Sequence, residues 1–226
     1  CGEGAGGRRQ EYDFPGYIDL VRRYQPGATI FYDRGPDVRW VGNEGGIPRN
    51  AEWAVVPGEL CPYAEIQTGP GPLSGSLAHL YNTQREIGSL STILYSKGLC
   101  FCGAEMDMSI RPGWFYHPEE EPHDLDRLLR TYVASVGANA CFHLNIPPTP
   151  EGRLDERDVA RLGELGAAIR DLYAGSLMQD ARVERLAGDT QAEIVIRLSR
   201  RQKIRYAILR ERIEEGQRVE GFLIYG

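Results

Sequence analysis

Between Ala104 and His117 the chain gathers two carboxylates, a guanidinium, three aromatic rings and an imidazole (AEMDMSIRPGWFYH). Polar and less polar positions alternate from Ala104 to Ile110, which predicts a short strand with Glu105, Asp107 and Ser109 on one face. Pro112-Gly113 ends that strand and turns the chain, carrying Trp114 and Tyr116 beyond its end. Carboxylates accept hydrogen bonds from hydroxyls, and an indole face covers the C–H side of a pyranose ring. Glu105, Asp107 and Trp114 therefore fit a neutral, hydroxyl-rich ligand. The same residues also admit a plain structural reading, a buried strand with a satisfied Asp–Arg pair.

The elements that must hold this stretch alternate strand and helix. A Gly/Arg-rich loop at 1–11 has glycines but neither of the phosphate-cradling spacings. Asp13 is expected to cap a helix carrying Phe14, Tyr17, Ile18 and Val21, ended by Pro26-Gly27. Ala28 to Tyr32 (ATIFY) reads as a strand buried on both faces. Asp33 to Gly46 reads as a polar loop, and Glu52 to Val56 as a further short strand. A Pro/Gly-rich loop from Pro57 to Gly75 has the length of a lid or binding loop, and 76–99 shows no clean period.

Beyond the central strand, Leu125, Leu128, Leu129, Tyr132, Val133 and Val136 form one apolar stripe at helical spacing, with Asp124 as cap and Gly137 as stop. Ala140 to Ile146 (ACFHLNI) reads as a buried strand in which His143 and Asn145 share a face, with His143 a hydrogen-bonded core residue. Asp155 opens another helix with Val159, Leu162, Leu165, Ile169 and Leu172 inward, running to Gly175. Loops at each strand's C-terminal end give this part the rhythm of a β/α barrel. After Gly175 the period changes to two: Ala192–Leu198, Lys203–Ile213 and Arg218–Tyr225 read as strands of a separate antiparallel sheet, with a turn at 214–217.

Composition excludes several classes. With 42% hydrophobic and 26% charged residues over 226, the chain is globular in type,. A formal charge of -6 argues against a nucleic-acid partner, which normally requires a basic face,. No apolar run reaches the length of a membrane span, and no signal peptide opens the chain. It begins Cys1-Gly2-Glu3-Gly4, without Met, and is expected to be a piece of a longer protein. Five cysteines, at 1, 61, 100, 102 and 141, match neither a zinc spacing nor a disulfide framework,. No metal site is expected, and the compartment is not readable from the cysteines.

Four stretches together resemble one family: WVGNEGG at 40–46, AEMDMSIRPGWFYHPEEE at 104–121, SVGANACFHLNIPPTPEGRLDERDV at 135–159 and YAILRERIEEGQRVEGF at 206–222. They are similar to the α-L-fucosidases of glycoside hydrolase family 29, most of all to the branch acting on branched fucosylated oligosaccharides. The resemblance implies an α/β fold, a partial (β/α)8 TIM-like barrel over 1–175 followed by the first strands of an incomplete antiparallel β-sandwich over 176–226. It implies a retaining exo-glycosidase that needs no cofactor, acts on a fucosylated oligosaccharide or glycan, and is secreted or periplasmic in its full-length form.

Such chemistry uses two carboxyls about 5–5.5 Å apart, one ionised as nucleophile and one protonated to release the leaving oxygen. By resemblance the nucleophile is an Asp lying just before Cys1, and the acid/base is Glu44 of the GNE motif, on a Gly-flanked loop. Glu105 is the second candidate acid/base, otherwise a hydroxyl-binding or Arg111-paired carboxylate. Trp53, Asp107, Arg111, Trp114 and Tyr116 complete the expected substrate-binding set, with Trp40 a further stacking candidate. The family pattern has an Arg-Asn-Cys-Leu-Leu-Leu-Asn-like strand where this chain reads Ala138–Asn145 (ANACFHLN), so His143 brings polarity to a position range otherwise apolar. The 226 residues alone are expected to be inactive. Two other readings compete, a non-catalytic glycan-binding barrel and a sheet-edge assembly module built on 192–226; linkage preference and oligomeric state are not legible.

Overall fold

A computed structural model describes residues 11–32, 35–61, 67–68, 86–187, 192–213 and 217–225. The Gly/Arg-rich opening, most of the expected lid loop and most of the 214–217 turn lie outside the described residues. Two compact units divide the chain: Cys1–Met108 with Tyr132–Leu144 and Arg212–Gly226, and Ser109–Thr131 with Asn145–Glu211. The expected division at 175/176 falls inside the second unit.

In the first unit Asp13 starts helix α1 (Phe14–Tyr24), its Oδ1 accepting from the Gly16 amide at 3.1 Å. Arg22 and Arg23 in the last turn suit the negative end of the helix dipole,. Arg22 also ties the helix to the next segment through the Ala28 carbonyl and the Asp37 carboxylate, while the Phe14 ring lies 4.6 Å from that of Tyr32. Strand β1 is only Phe31–Tyr32, and Phe31 is exposed, so the expected five-residue strand buried on both faces does not form. Its N-terminal part is diverted: the Ile30 amide bonds the Asp37 side chain at 2.7 Å instead of a neighbouring strand.

Strand β2 (Val38–Trp40) lies within the stretch read as loop. Gly and Pro punctuation hid it, and its pairing is tertiary: β1, β2 and β6 (Gly103–Ser109) run parallel, and the sheet order is β1-β2-β6-β7 with β7 at Ala140–Asn145. Ala104, Met106, Val41 and Ala140 form the core against one side of this sheet, with Phe142 packed on them. β7 is not buried throughout as expected, since Cys141 and His143 on its other face are exposed.

Three short strands make a second sheet, β3 (Val55–Pro57), β5 (Gly98–Phe101) and β4 (Gln67–Thr68), in the order β3-β5-β4 and antiparallel. A 3₁₀ turn (Gly58–Leu60) follows β3, and the one-turn helix α2 (Leu90–Ile93) precedes β5. Beside this sheet sits a buried charge cluster. Glu52 receives Arg39 at 3.0 Å and Arg49 at 3.2 Å, and Arg39 also donates to the Trp53 carbonyl. Two guanidiniums on one dry carboxylate hold the 39–53 segment in place, since removing either partner strands a buried charge.

Helix α3 (Leu125–Val136) matches its sequence signals. The Asp124 Oδ1 accepts from the Arg127 amide at 2.7 Å, and a Cβ on Gly137 would lie 2.2 Å from the Val133 carbonyl oxygen. Only glycine fits that close stop. In the second unit α4 (Glu156–Tyr173) is capped by Asp155, whose Oδ1 accepts from the Arg157 amide at 2.9 Å. Leu165 is buried as expected, but Val159 is 51% exposed and Asp158 takes the inward position. A buried Arg111 needs an anion there, and that demand outweighs one valine.

A 3₁₀ turn (Leu177–Asp180) leads into a hairpin of β8 (Arg182–Ala187) and β9 (Ala192–Arg197), antiparallel from Arg182↔Arg197 to Ala187↔Ala192. The runs 203–213 and 218–225 are not strands among the described residues, contrary to expectation. A strand exists only through a ladder partner, and period-two patterning cannot supply one. Gln217 instead fixes its segment by a side chain, its Oε1 accepting from the amides of Ala54 and Val55 at 2.8 and 3.0 Å.

Candidate active site

Register decides what Glu105 meets. Parallel pairing sets Trp40 opposite Glu105, and alternation along β6 brings Asp107 to the same face,. The Trp40 indole donates to Asp107 Oδ1 at 2.8 Å, and His143 Nδ1 lies 3.0 Å from Glu105 Oε1. Four chemistry-bearing side chains from three adjacent strands thus share one side of the first unit's sheet, opposite the Met106 core. Glu105 is 5% exposed, and its Oε2 has no hydrogen-bond partner among the described residues. Burial, then repulsion from Asp107, raises the Glu105 pKa above the ordinary carboxyl range, with His143 pulling the other way,. This is a carboxyl poised to be shared with something that brings its own hydroxyl or proton.

Directly after β2, the loop bearing Glu44 is shaped from within. Asn43 Oδ1 accepts from the amides of Gly45 at 3.0 Å and Ile47 at 3.2 Å, while its Nδ2 donates to the Ile47 carbonyl at 2.8 Å. Gly42 and Gly46 take φ of +102° and +68°, values that favour glycine,. Asn43 therefore turns inward to brace the loop and Glu44 is left exposed.

In the second unit Arg111 is almost wholly enclosed. Its Nε bonds Asp158 at 3.0 and 2.9 Å, Nη2 lies 3.3 Å from Asp155, and Nη1 donates to the carbonyls of His117 and Glu120. Tyr116 donates to Asp155 at 2.9 Å, and its ring lies 4.9 Å from the Arg111 guanidinium. Hydrogen bonds from Arg157 hold the Asp155 carboxyl well below the usual range. The Trp114 carbonyl accepts from Asn145, and its ring is partly exposed.

A family profile described as Alpha-L-fucosidase matches residues 8–171. The chain belongs to the α-L-fucosidase family. Alpha-L-fucosidase 1 of Arabidopsis thaliana is 34% identical over 187 residues, covering 80% of this chain and 32% of that protein. Among solved structures, a glycoside hydrolase family 29 member from an unknown rumen bacterium is 28% identical with a TM-score of 0.62, covering 84% of this chain and 32% of that one. A Ruminococcus gnavus family 29 fucosidase, solved in complex with fucose, shares the fold at 24% identity and a TM-score of 0.58, covering 80% of this chain and 35% of that one. The chain spans about a third of the length of the curated α-L-fucosidases it matches.

Against that family background the expected residues fall into distinct settings. Glu105 and Asp107 lie together; Glu44 stands on the loop that leaves the neighbouring strand; Arg111, Tyr116 and Trp114 belong to the second unit. Trp53 is a core residue, 5% exposed, with its indole donating to Glu86 at 3.0 Å. A lone strand histidine resembles core, so the sequence does not mark His143 as a site residue. Its odd-numbered parity with Asn145 was the available signal, but only the register of β6 and β7 puts it on Glu105.

Proposed function

We propose that the protein containing this chain is a retaining α-L-fucosidase that releases terminal α-L-fucose from oligosaccharides or glycoconjugates. The supporting observation is the half-satisfied carboxyl of Glu105 beside Asp107 and Trp40, in a chain of this family. A dry carboxyl with one open oxygen accepts a sugar hydroxyl strongly, and a sugar is a ligand that brings hydroxyls without charge. On this reading residues 1–175 contribute strands to a (β/α)8-like barrel and 176–226 begin a β-sandwich. The full-length protein works outside the cytosol; no helix among the described residues is long and apolar enough to cross a membrane.

In the mechanism Glu44 is the acid/base. It protonates the glycosidic oxygen as an Asp nucleophile, supplied by sequence beyond these 226 residues, attacks the anomeric carbon from the opposite face. The covalent fucosyl–enzyme then reacts with water that gives its proton to Glu44, so configuration is retained. Glu105 and Asp107 bind sugar hydroxyls. Arg111 and Tyr116 act through the loop they hold, and Trp53 through packing.

The test is Glu44→Gln in the full-length protein. Loss of roughly 10²–10⁴-fold in kcat/KM on an oligosaccharide is expected, with a much smaller loss on an aryl fucoside whose leaving group needs no proton. Azide should restore turnover and yield the α-fucosyl azide, since it replaces water on the covalent intermediate. Undiminished oligosaccharide hydrolysis by this variant would move the acid/base role to Glu105.

A further inference from the structure

Three of the cysteines, scattered in sequence at 61, 100 and 102, come together in one place. Cys61, Cys100 and Cys102 are each at most 1% exposed and share a core cluster with Trp53, Val56 and Ile87. The geometry follows from the second sheet. Cys100 and Cys102 are two residues apart on extended backbone and so present the same face. Antiparallel pairing sets Val56 against Cys100, and the 3₁₀ turn after β3 then folds Cys61 back over that face. Gly35 lies against the same spot: a Cβ built on it would be 3.2 Å from Cys102 Sγ and 3.6 Å from Cys61 Cβ. The two neighbouring thiols, together with burial, push the Cys61 pKa up. Cys141 is exposed on β7 and takes no part.

We infer that Cys61 and Cys100 are a disulfide-forming pair that locks the turn after β3 to β5, with Cys102 left as a free thiol beside them. The oxidant is a small-molecule or protein disulfide. Cys100, as thiolate, attacks one of its sulfurs and releases the other as a thiolate. Cys61 then loses its proton and attacks Cys100 Sγ, expelling the second half of the donor. Two protein thiols become one disulfide, and the donor disulfide becomes two thiols. Because all three sulfurs are enclosed, the exchange belongs to folding, before the core closes, and the finished bond is shielded from reductants. The link closes the chain between residues 61 and 100 into a covalent loop, the kind of constraint that favours the folded state most when the loop is long.

Peptide mapping of the full-length protein tests the pair without any substitution. Protein made in an oxidising compartment is denatured with iodoacetamide present and digested with trypsin without reduction. The expected product is a cross-linked pair, Asn50–Arg85 with Gly98–Arg127, while Thr131–Arg153 carries alkylated Cys141. The C102S variant should keep the cross-link and C100S should lose it; reductant should lower the thermal midpoint by roughly 5–10 °C. Full alkylation of Cys61, Cys100 and Cys102 in the wild-type protein would overturn the inference. So would stoichiometric metal released from the three thiols, or a bond between Cys100 and Cys102.

Discussion

Glu105 and Arg111 are buried ionic side chains from one short run of sequence, and their surroundings are opposite in kind. Arg111 is charge-matched: its Nε bonds Asp158, its Nη1 donates to two carbonyls, and its Nη2, which makes no hydrogen bond among the described residues, still lies 3.3 Å from the Asp155 carboxylate. Glu105 is undersupplied, with a histidine on one oxygen, no hydrogen-bond partner on the other among the described residues and a second carboxylate nearby. Evenly matched charge holds structure, because any change leaves an unpaired partner in a dry place. Unmatched charge has binding capacity left over, and a site needs that capacity. A stretch that looks like one functional motif in sequence therefore contains a strut and a site.

The strut is the easier half to break. Arg111→Ala leaves Asp158, itself without exposure, as an uncompensated buried anion. A loss of about 3–5 kcal/mol is expected, read as a lower denaturant midpoint of the full-length protein. Any variant molecules that remain folded should bind fucose with near-normal affinity. A KM effect without a stability effect would make Arg111 a ligand contact and erase the contrast.

Glu105→Gln should do the reverse. The folded pKa lies above the unfolded value, so the folded state binds the extra proton between the two. Stability contributed by the protonated form is fully present below about pH 4.5 and declines as pH rises through the raised folded value,. Gln cannot ionise, so the variant should match the parent in acid and equal or exceed it at pH 8 in thermal unfolding. Activity should nevertheless fall roughly 10- to 100-fold, the worth of one charged hydrogen bond to a sugar hydroxyl. A variant that loses stability at pH 8 and keeps activity would make Glu105 a strut like Arg111.

Legibility in the sequence followed the same division between local and long-range causes. Helices α1, α3 and α4 were readable with their caps at Asp13, Asp124 and Asp155, because a cap is a contact within four residues. The alternation that sets Glu105 and Asp107 on one face was readable too. What sequence could not supply was register. Trp40 on Asp107 and His143 on Glu105 depend on how β2, β6 and β7 align, and no single strand encodes that. Period alone places Val159 inward, while Asp158 faces in because Arg111, forty-seven residues earlier in the chain, demands it. The period-two runs after 203 failed for a related reason, since patterning states which face is apolar and not whether a partner strand exists.

The finest separation of strut from site comes through His143, whose side chain is 70% exposed and whose removal should barely touch stability. His143 Nδ1 at 3.0 Å is a force holding the Glu105 pKa down against burial and Asp107. His143→Leu takes that force away, so the Glu105 pKa must rise further, and the pH profile of kcat/KM must move upward with it. Which limb moves identifies the role. If Glu105 works ionised, accepting a sugar hydroxyl, the acidic limb shifts to higher pH and activity near neutrality drops by less than about fivefold, under 1 kcal/mol. If Glu105 works protonated, as acid, the alkaline limb shifts up and activity survives to higher pH. A profile that does not move on either side would mean that Glu105 is outside the reacting set, leaving Glu44 to be judged by azide rescue alone.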